Sequence, residues 1–125
     1  MNSHMIVYMD GSALVRRAGT KPGSEVAAEL WNTAHRVVSS ELACSEARRT
    51  TEMPDELVDG LELVQTDSQI AGAADELATR HGLDTSESVH LAAALSIDAP
   101  RVVVATWNPA LGAAAEECGL AVVPR

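Results

Sequence analysis

The sequence predicts an α/β domain of three layers, a central parallel β-sheet flanked by helices, and three observations carry that prediction. Short apolar runs recur at Ile6-Val7-Tyr8-Met9, Val37-Val38-Ser39, Val102-Val103-Val104-Ala105 and Leu120-Ala121-Val122-Val123, as strands buried on both faces require. Helical patterns and short turns fill the intervals between them. Polar residues, above all Asp10 and Asn108, directly follow two of the strands, where open α/β sheets place their ligand crevice. Asp10 also suits the N-cap of the helix that begins near Ser12.

The first four residues, Met1-Asn2-Ser3-His4, precede a second methionine and have the look of an expression-vector scar, which leaves residues 5–125 as one expected domain. A chain of this size can bury roughly two thirds of its unfolded surface, so neither disulfides nor structural metals are needed as staples. Hydrophobic residues make up 46% of the chain, yet phenylalanine is absent and the aromatic residues are Tyr8, Trp31 and Trp107. The core is therefore expected to be aliphatic and alanine-rich, with helices lying close on the sheet. Cys44 and Cys118 stand alone in helical patterns and match no zinc-ligand spacing, which reads as buried thiols of a cytoplasmic protein. No apolar run reaches the roughly 18 residues of a membrane span, so no membrane association is expected.

A formal charge of −9 argues against a general nucleic-acid binder, but its distribution is uneven. Residues 1–50 carry six basic groups (Arg16, Arg17, Lys21, Arg36, Arg48, Arg49) against five acids, whereas residues 51–125 carry three against thirteen. A basic rim beside Asp10 is compatible with that balance, as are solvated helix faces.

After Asp10 a helix runs to about Arg17 and breaks at Gly19-Thr20-Lys21-Pro22-Gly23. Ser24 is the expected cap of a second helix to about His35, with Val26, Leu30 and Thr33 or Ala34 inside. Ser40 caps a third over Glu41 to Arg49, with Leu42 inside and Glu46 one turn on. Residues 50–60 form a loop or short helix around Pro54, and Leu61 to Val64 a minor strand. Thr66 and Gln69 are spaced as a capping box for a helix with Ile70, Ala73, Ala74 and Leu77 inside, ended by Gly82. Asp84 opens a helix to about Ile97 in which Leu91, Ala94 and Leu95 pack, and Asp84 and Glu87 are again spaced as a capping box. Pro109 starts the last helix and Gly119 stops it.

The polar residues that can meet at the strand ends are Asp10, Ser12, Glu46, Glu87 and Asn108. Their order and context resemble the PIN domain, and within it the VapC-type toxin ribonucleases of toxin-antitoxin modules. The resemblance rests on Asp10-Gly11-Ser12-Ala13-Leu14, Ser40-Glu41-Leu42-Ala43 leading to Glu46, Glu87-Ser88-Val89-His90-Leu91-Ala92, and Thr106-Trp107-Asn108 leading to Leu111 and Gly119-Leu120. Two positions depart from the family pattern. Glu87 stands for an aspartate, which moves the carboxylate out by about one bond, ~1.5 Å, and Asn108 stands for another, keeping an acceptor oxygen without the charge.

The resemblance implies a PIN-like fold and a Mg²⁺- or Mn²⁺-dependent endoribonuclease, since crowded carboxylates call for a hard divalent cation that can polarise a phosphodiester and activate water. It implies Asp10 and Glu87 as principal metal contacts, Glu46 as ligand or water orienter, Asn108 as a weak or outer ligand, and Ser12 as a hydrogen-bonding support. It further implies RNA as substrate, with Arg16, Arg17, Arg48 and Arg49 as possible backbone contacts, a homodimer, and a VapB-like antitoxin covering the groove. The competing reading is a PIN-like binding module whose catalysis the changes at Glu87 and Asn108 have weakened. His90 reads as a packed, hydrogen-bonded histidine and Trp107 as core packing, with base stacking as its alternative. A phosphoacceptor receiver domain wants a lysine after a late strand, and the only lysine is Lys21. Glycine-rich phosphate loops are absent.

Overall fold

Strand β1 (Ile6–Met9) is central because all four of its residues are apolar and all four are buried. The computed structural model describes residues 4–124; residues 1–3, most of the expected scar, and Arg125 lie outside the described residues. On either side of β1 lie β2 (Arg36–Ser40) and β4 (Val102–Ala105), and the edges are β3 (Glu62–Val64) and β5 (Ala121–Val123). The order is β3-β2-β1-β4-β5 and every pairing is parallel. Tyr8 pairs with Val38 and Val104, and Met9 with Ala105, so the carboxyl ends of the three central strands come level.

Side chains alternate across the sheet and build two cores. Ile6, Tyr8, Val38 and Val104 face α5 (Ser68–His81), α6 (Thr85–Leu95) and α7 (Pro109–Glu117). Val7, Met9, Val37, Val103 and Ala105 face α1 (Gly11–Ala18) and α3 (Glu41–Arg48), joined by Leu57 of α4 (Asp55–Asp59). Helix α2 (Ser24–Thr33) packs beside α1. The expected three-layer α/β architecture is what forms. Among the described residues no helix is long and apolar enough to cross a membrane.

In α2 and α3 the differences from expectation arise because close helix packing selects small residues. Helix α2 buries Ala27, whereas Val26 and Leu30 are half-buried and Thr33 is exposed. Its N-cap is Gly23, in the left-handed region at φ 96°, and Ser24 is already helical. Helix α3 buries Ala43, Cys44 and Ala47, with Leu42 only half-buried. Helix α6 stops at Leu95, which is 40% exposed, and Ala73 of α5 is also exposed. Cys118 is half-buried at the end of α7, where its sulfur lies 3.7 Å from His81 Nε2.

The start of α5 also differs. Asp67, not Thr66, is its cap: the carboxylate accepts from Ile70 N at 2.9 Å, a stronger acceptor than a hydroxyl one residue earlier. Asp67 is exposed and remote from β1, so Asp67→Ala is expected to cost about 1 kcal/mol. Urea unfolding should show a lower midpoint with an unchanged slope.

Candidate active site

The site grows from the end of β1. Asp10 leaves the strand extended, at φ −80° and ψ −177°, and caps α1, its Oδ1 accepting from Ala13 N at 3.0 Å and from the Ser12 hydroxyl at 2.6 Å. Its Oδ2 accepts from the Thr106 hydroxyl at 2.5 Å. The residue is only 4% exposed, and among the described residues no cationic side chain stands within ion-pair distance of it. The two readings of Asp10, helix cap and chemical group, are therefore compatible: both lone pairs of Oδ1 are taken, by Ala13 N and the Ser12 hydroxyl, but one acceptor site remains on Oδ2 beside Thr106.

Thr106 and Ser12 extend this network sideways. Thr106 Oγ1 accepts from Asn108 N at 3.0 Å, and Ser12 Oγ accepts from Trp107 N at 2.9 Å, which fixes the turn after β4 against Asp10. Asn108 caps α7 through Leu111 N at 3.1 Å and turns its amide group to Glu87, donating to Oε2 at 2.9 Å. The other oxygen of Glu87 accepts from Asp84 N at 3.0 Å, so the capping box of α6 is formed in full. A hydrogen-bonded path thus runs from Asp10 through Thr106 and Asn108 to Glu87.

Glu46 arrives from α3 and meets the site at Gly11. A Cβ on Gly11 would lie 2.6 Å from Glu46 Oε1 and 2.9 Å from Glu46 Cβ, so only glycine lets α3 approach this closely behind Asp10. His90 Nε2 lies 2.8 Å from Glu46 Oε1, and the Ser86 hydroxyl donates to Oε2. Burial works to raise the Glu46 pKa, but the hydrogen bonds of His90 and Ser86, with the charges of His90 and Arg49, outweigh it and hold the carboxyl below its usual range.

The basic residues divide. Arg16 lies over the Trp107 ring at 4.7 Å while donating to Ser12 O and Pro22 O, and Arg17 lies over Trp31 at 4.9 Å. Arg48 and Arg49 are exposed at the end of α3. Trp107 is half-buried beneath Arg16 and against Gly23, so it packs the turn it sits on. Sequence reasoning did not single out Thr106, Ser86 or Tyr8 as site residues. Thr106 carried a signal, as the polar residue ending the strongest strand, but Ser86 and Tyr8 are joined to the site only by the fold.

No protein-family model matches the chain. Two curated relatives from Mycobacterium tuberculosis do, Ribonuclease VapC45 of strain CDC 1551 / Oshkosh and Ribonuclease VapC49 of strain ATCC 25618 / H37Rv. Each is 34% identical over an alignment of 140 residues that spans 95% of this chain and 95% of the relative. The chain belongs to the VapC ribonuclease family. Solved structures agree on the fold: FitAcB from Neisseria gonorrhoeae matches with a TM-score of 0.68 at 17% identity, over 93% of this chain and 95% of that one. VapBC2 from Rickettsia felis, bound to a DNA fragment from its promoter, matches with a TM-score of 0.62 at 12% identity, over 94% and 97%.

For this VapC-family chain the donor set fits a hard divalent cation in kind, and the buried Asp10 carboxylate without a cationic partner is the observation that favours one. The acids are nevertheless held by separate partners: Asp10 by Ser12, Ala13 and Thr106, Glu46 by Ser86 and His90, and Glu87 by Asp84 N and Asn108. Among the described residues no three His, Cys, Asp or Glu side chains are gathered closely enough to hold a metal ion.

Two outcomes follow. Gly11→Ala adds helix propensity but forces Glu46 and α3 outward, so it is expected to destabilise by about 1–3 kcal/mol, measured by urea unfolding. Because the folded pKa of Glu46 is depressed, its contribution is present above the unfolded pKa and is lost as pH falls through the folded one. The unfolding midpoint should therefore decline less steeply through the acid range in Glu46→Gln than in the wild type.

Proposed function

We propose that this chain is a divalent-metal-dependent endoribonuclease toxin, acting in the cytoplasm as a homodimer on RNA and silenced by a VapB-like antitoxin. One observation carries the reading: a buried carboxylate, Asp10, stands without a cationic partner among the described residues at the carboxyl edge of a parallel sheet, with Glu46 against the adjoining Gly11, in a chain whose 34%-identical relatives are named ribonucleases. The partner expectation is supported by the VapBC2 and FitAcB structures that share the fold. Residues 5–125 are taken as the functional domain.

Asp10 and Glu46 are the residues that would hold Mg²⁺ or Mn²⁺, with Glu87 next to them through the Asn108 link. The ion, when bound, would polarise the scissile phosphodiester and lower the pKa of its water. Ser12 and Thr106 orient Asp10, leaving it no rotational freedom to lose when substrate binds. Asn108 in place of an acid removes one charge that would repel both Glu87 and the RNA backbone, and its amide donates to Glu87 instead. Arg48 and Arg49 remain available for phosphate contacts, whereas Arg16 and Arg17 are occupied by the tryptophans.

A weakened binding module is the second reading, favoured by the engagement of Glu87 in its own helix cap. Cleavage of a structured RNA panel with Mg²⁺ or Mn²⁺ decides between them. The nuclease reading expects cutting that EDTA abolishes and that Asp10→Asn lowers by ~100-fold or more. No cutting, together with no metal binding by calorimetry, would support the module. In that case restoring aspartate at positions 87 and 108 together should raise activity sharply.

A further inference from the structure

Behind the acids a buried polar chain crosses the core. Ser40 Oγ accepts from Ala43 N at 3.1 Å and lies 3.0 Å from the Tyr8 hydroxyl. That hydroxyl lies 2.8 Å from His90 Nδ1, and His90 Nε2 lies 2.8 Å from Glu46 Oε1. Tyr8, Ser40 and His90 are 0%, 1% and 3% exposed, so water does not substitute for a missing member. Two strands, β1 and β2, and two helices, α3 and α6, are joined by this one path.

The proton inventory fixes what His90 does. When Tyr8 donates to Ser40, His90 must donate from Nδ1 to the phenol oxygen, and Nε2 facing a carboxylate must donate as well. When Tyr8 donates to Nδ1 instead, the neutral ring carries its proton on Nε2. In both arrangements Nε2–H points at Glu46. Ser86 stands one turn earlier on the same face of α6 and takes the other oxygen of Glu46, so α6 grips both oxygens of a side chain that belongs to α3. Burial pushes the Tyr8 phenol up, which keeps it protonated and able to take either role.

We propose that His90 is a positioning residue which, locked by Tyr8 and Ser40, presents Nε2–H to Glu46 and with Ser86 fixes the rotation of that carboxylate at the acid edge. Its effect on catalysis rests on the nuclease reading; the hydrogen bond itself does not. Nitrogen-15 spectroscopy of the histidine rings in the free protein is expected to show His90 protonated at Nε2, with a resonance that moves in Glu46→Gln. A His90 protonated only at Nδ1 would overturn the proposal whether or not the protein cuts RNA.

The activity arm uses two isosteres. His90→Gln keeps an amide N–H near the place of Nε2, whereas His90→Asn keeps one near Nδ1 and leaves Glu46 without it. His90→Asn is expected to lower kcat by about 10- to 100-fold with KM for RNA little changed, and His90→Gln to recover most of that loss. Tyr8→Phe, which preserves the core volume, should fall between them. Equal losses of stability in the Gln and Asn variants with unchanged kcat per folded molecule would reduce His90 to packing and overturn the proposal. A wild type that cuts no RNA would strike the nuclease reading, and the Nε2 resonance would then decide the positioning role alone.

Discussion

Asp10 is buried, so its carboxyl oxygens have to be met by hydrogen-bond donors, and the rest of the site follows from that constraint. A carboxylate taken out of water is costly unless donors surround it, and here the donors are the backbone of the helix it starts, the hydroxyl two residues on, and a hydroxyl from the neighbouring strand. Those three sources tie β1, α1 and β4 to one side chain. The parallel register that brings Met9 level with Ala105 is what allows Thr106 to reach it. Fold and site are thus linked through a single residue at the sheet's edge.

The other acids are likewise held by neighbouring donors and not by one another. Glu87 and Asn108 both serve as helix-end groups, and the bond between them converts what would be two repelling acids into a donor and an acceptor. Glu46 is held from across the molecule by α6. The site therefore has a rigid half, at Asp10, and a half in which each group has a structural partner. A cation bound in such an arrangement would compete with existing hydrogen bonds, and the position of Glu46 depends on Gly11 lacking a side chain.

Much of this was legible in the sequence, because capping is local. Asp10 before Gly-Ser, Asp84 three residues before Glu87, and Asn108 before Pro109 are patterns whose partners lie within a turn, and all three caps form. Strands were legible because apolar β-branched runs have few other uses. The misreadings of large residues fell at Leu42, Val26 and Leu95: close helix contacts on α3 and α2 went to Ala43 and Ala27, and on α6 Ala94 is buried as expected while Leu95 is not. The grip of His90 and Ser86 on Glu46 spans 44 and 40 positions in the chain, and no local spacing encodes it. His90 was rightly expected to be packed and hydrogen-bonded, but what it bonds to could come only from the packing of α6 on α3.

The chain's two tryptophans are each covered by a guanidinium from adjacent positions of one helix, Arg16 over Trp107 and Arg17 over Trp31. Helix α1 consequently touches every indole in the protein. Because α1 also begins at Asp10, the ultraviolet emission of the whole chain is an optical record of how that helix sits. A molecule so poor in aromatic residues carries both of its indoles against the helix that Asp10 caps, and no label need be added to follow it.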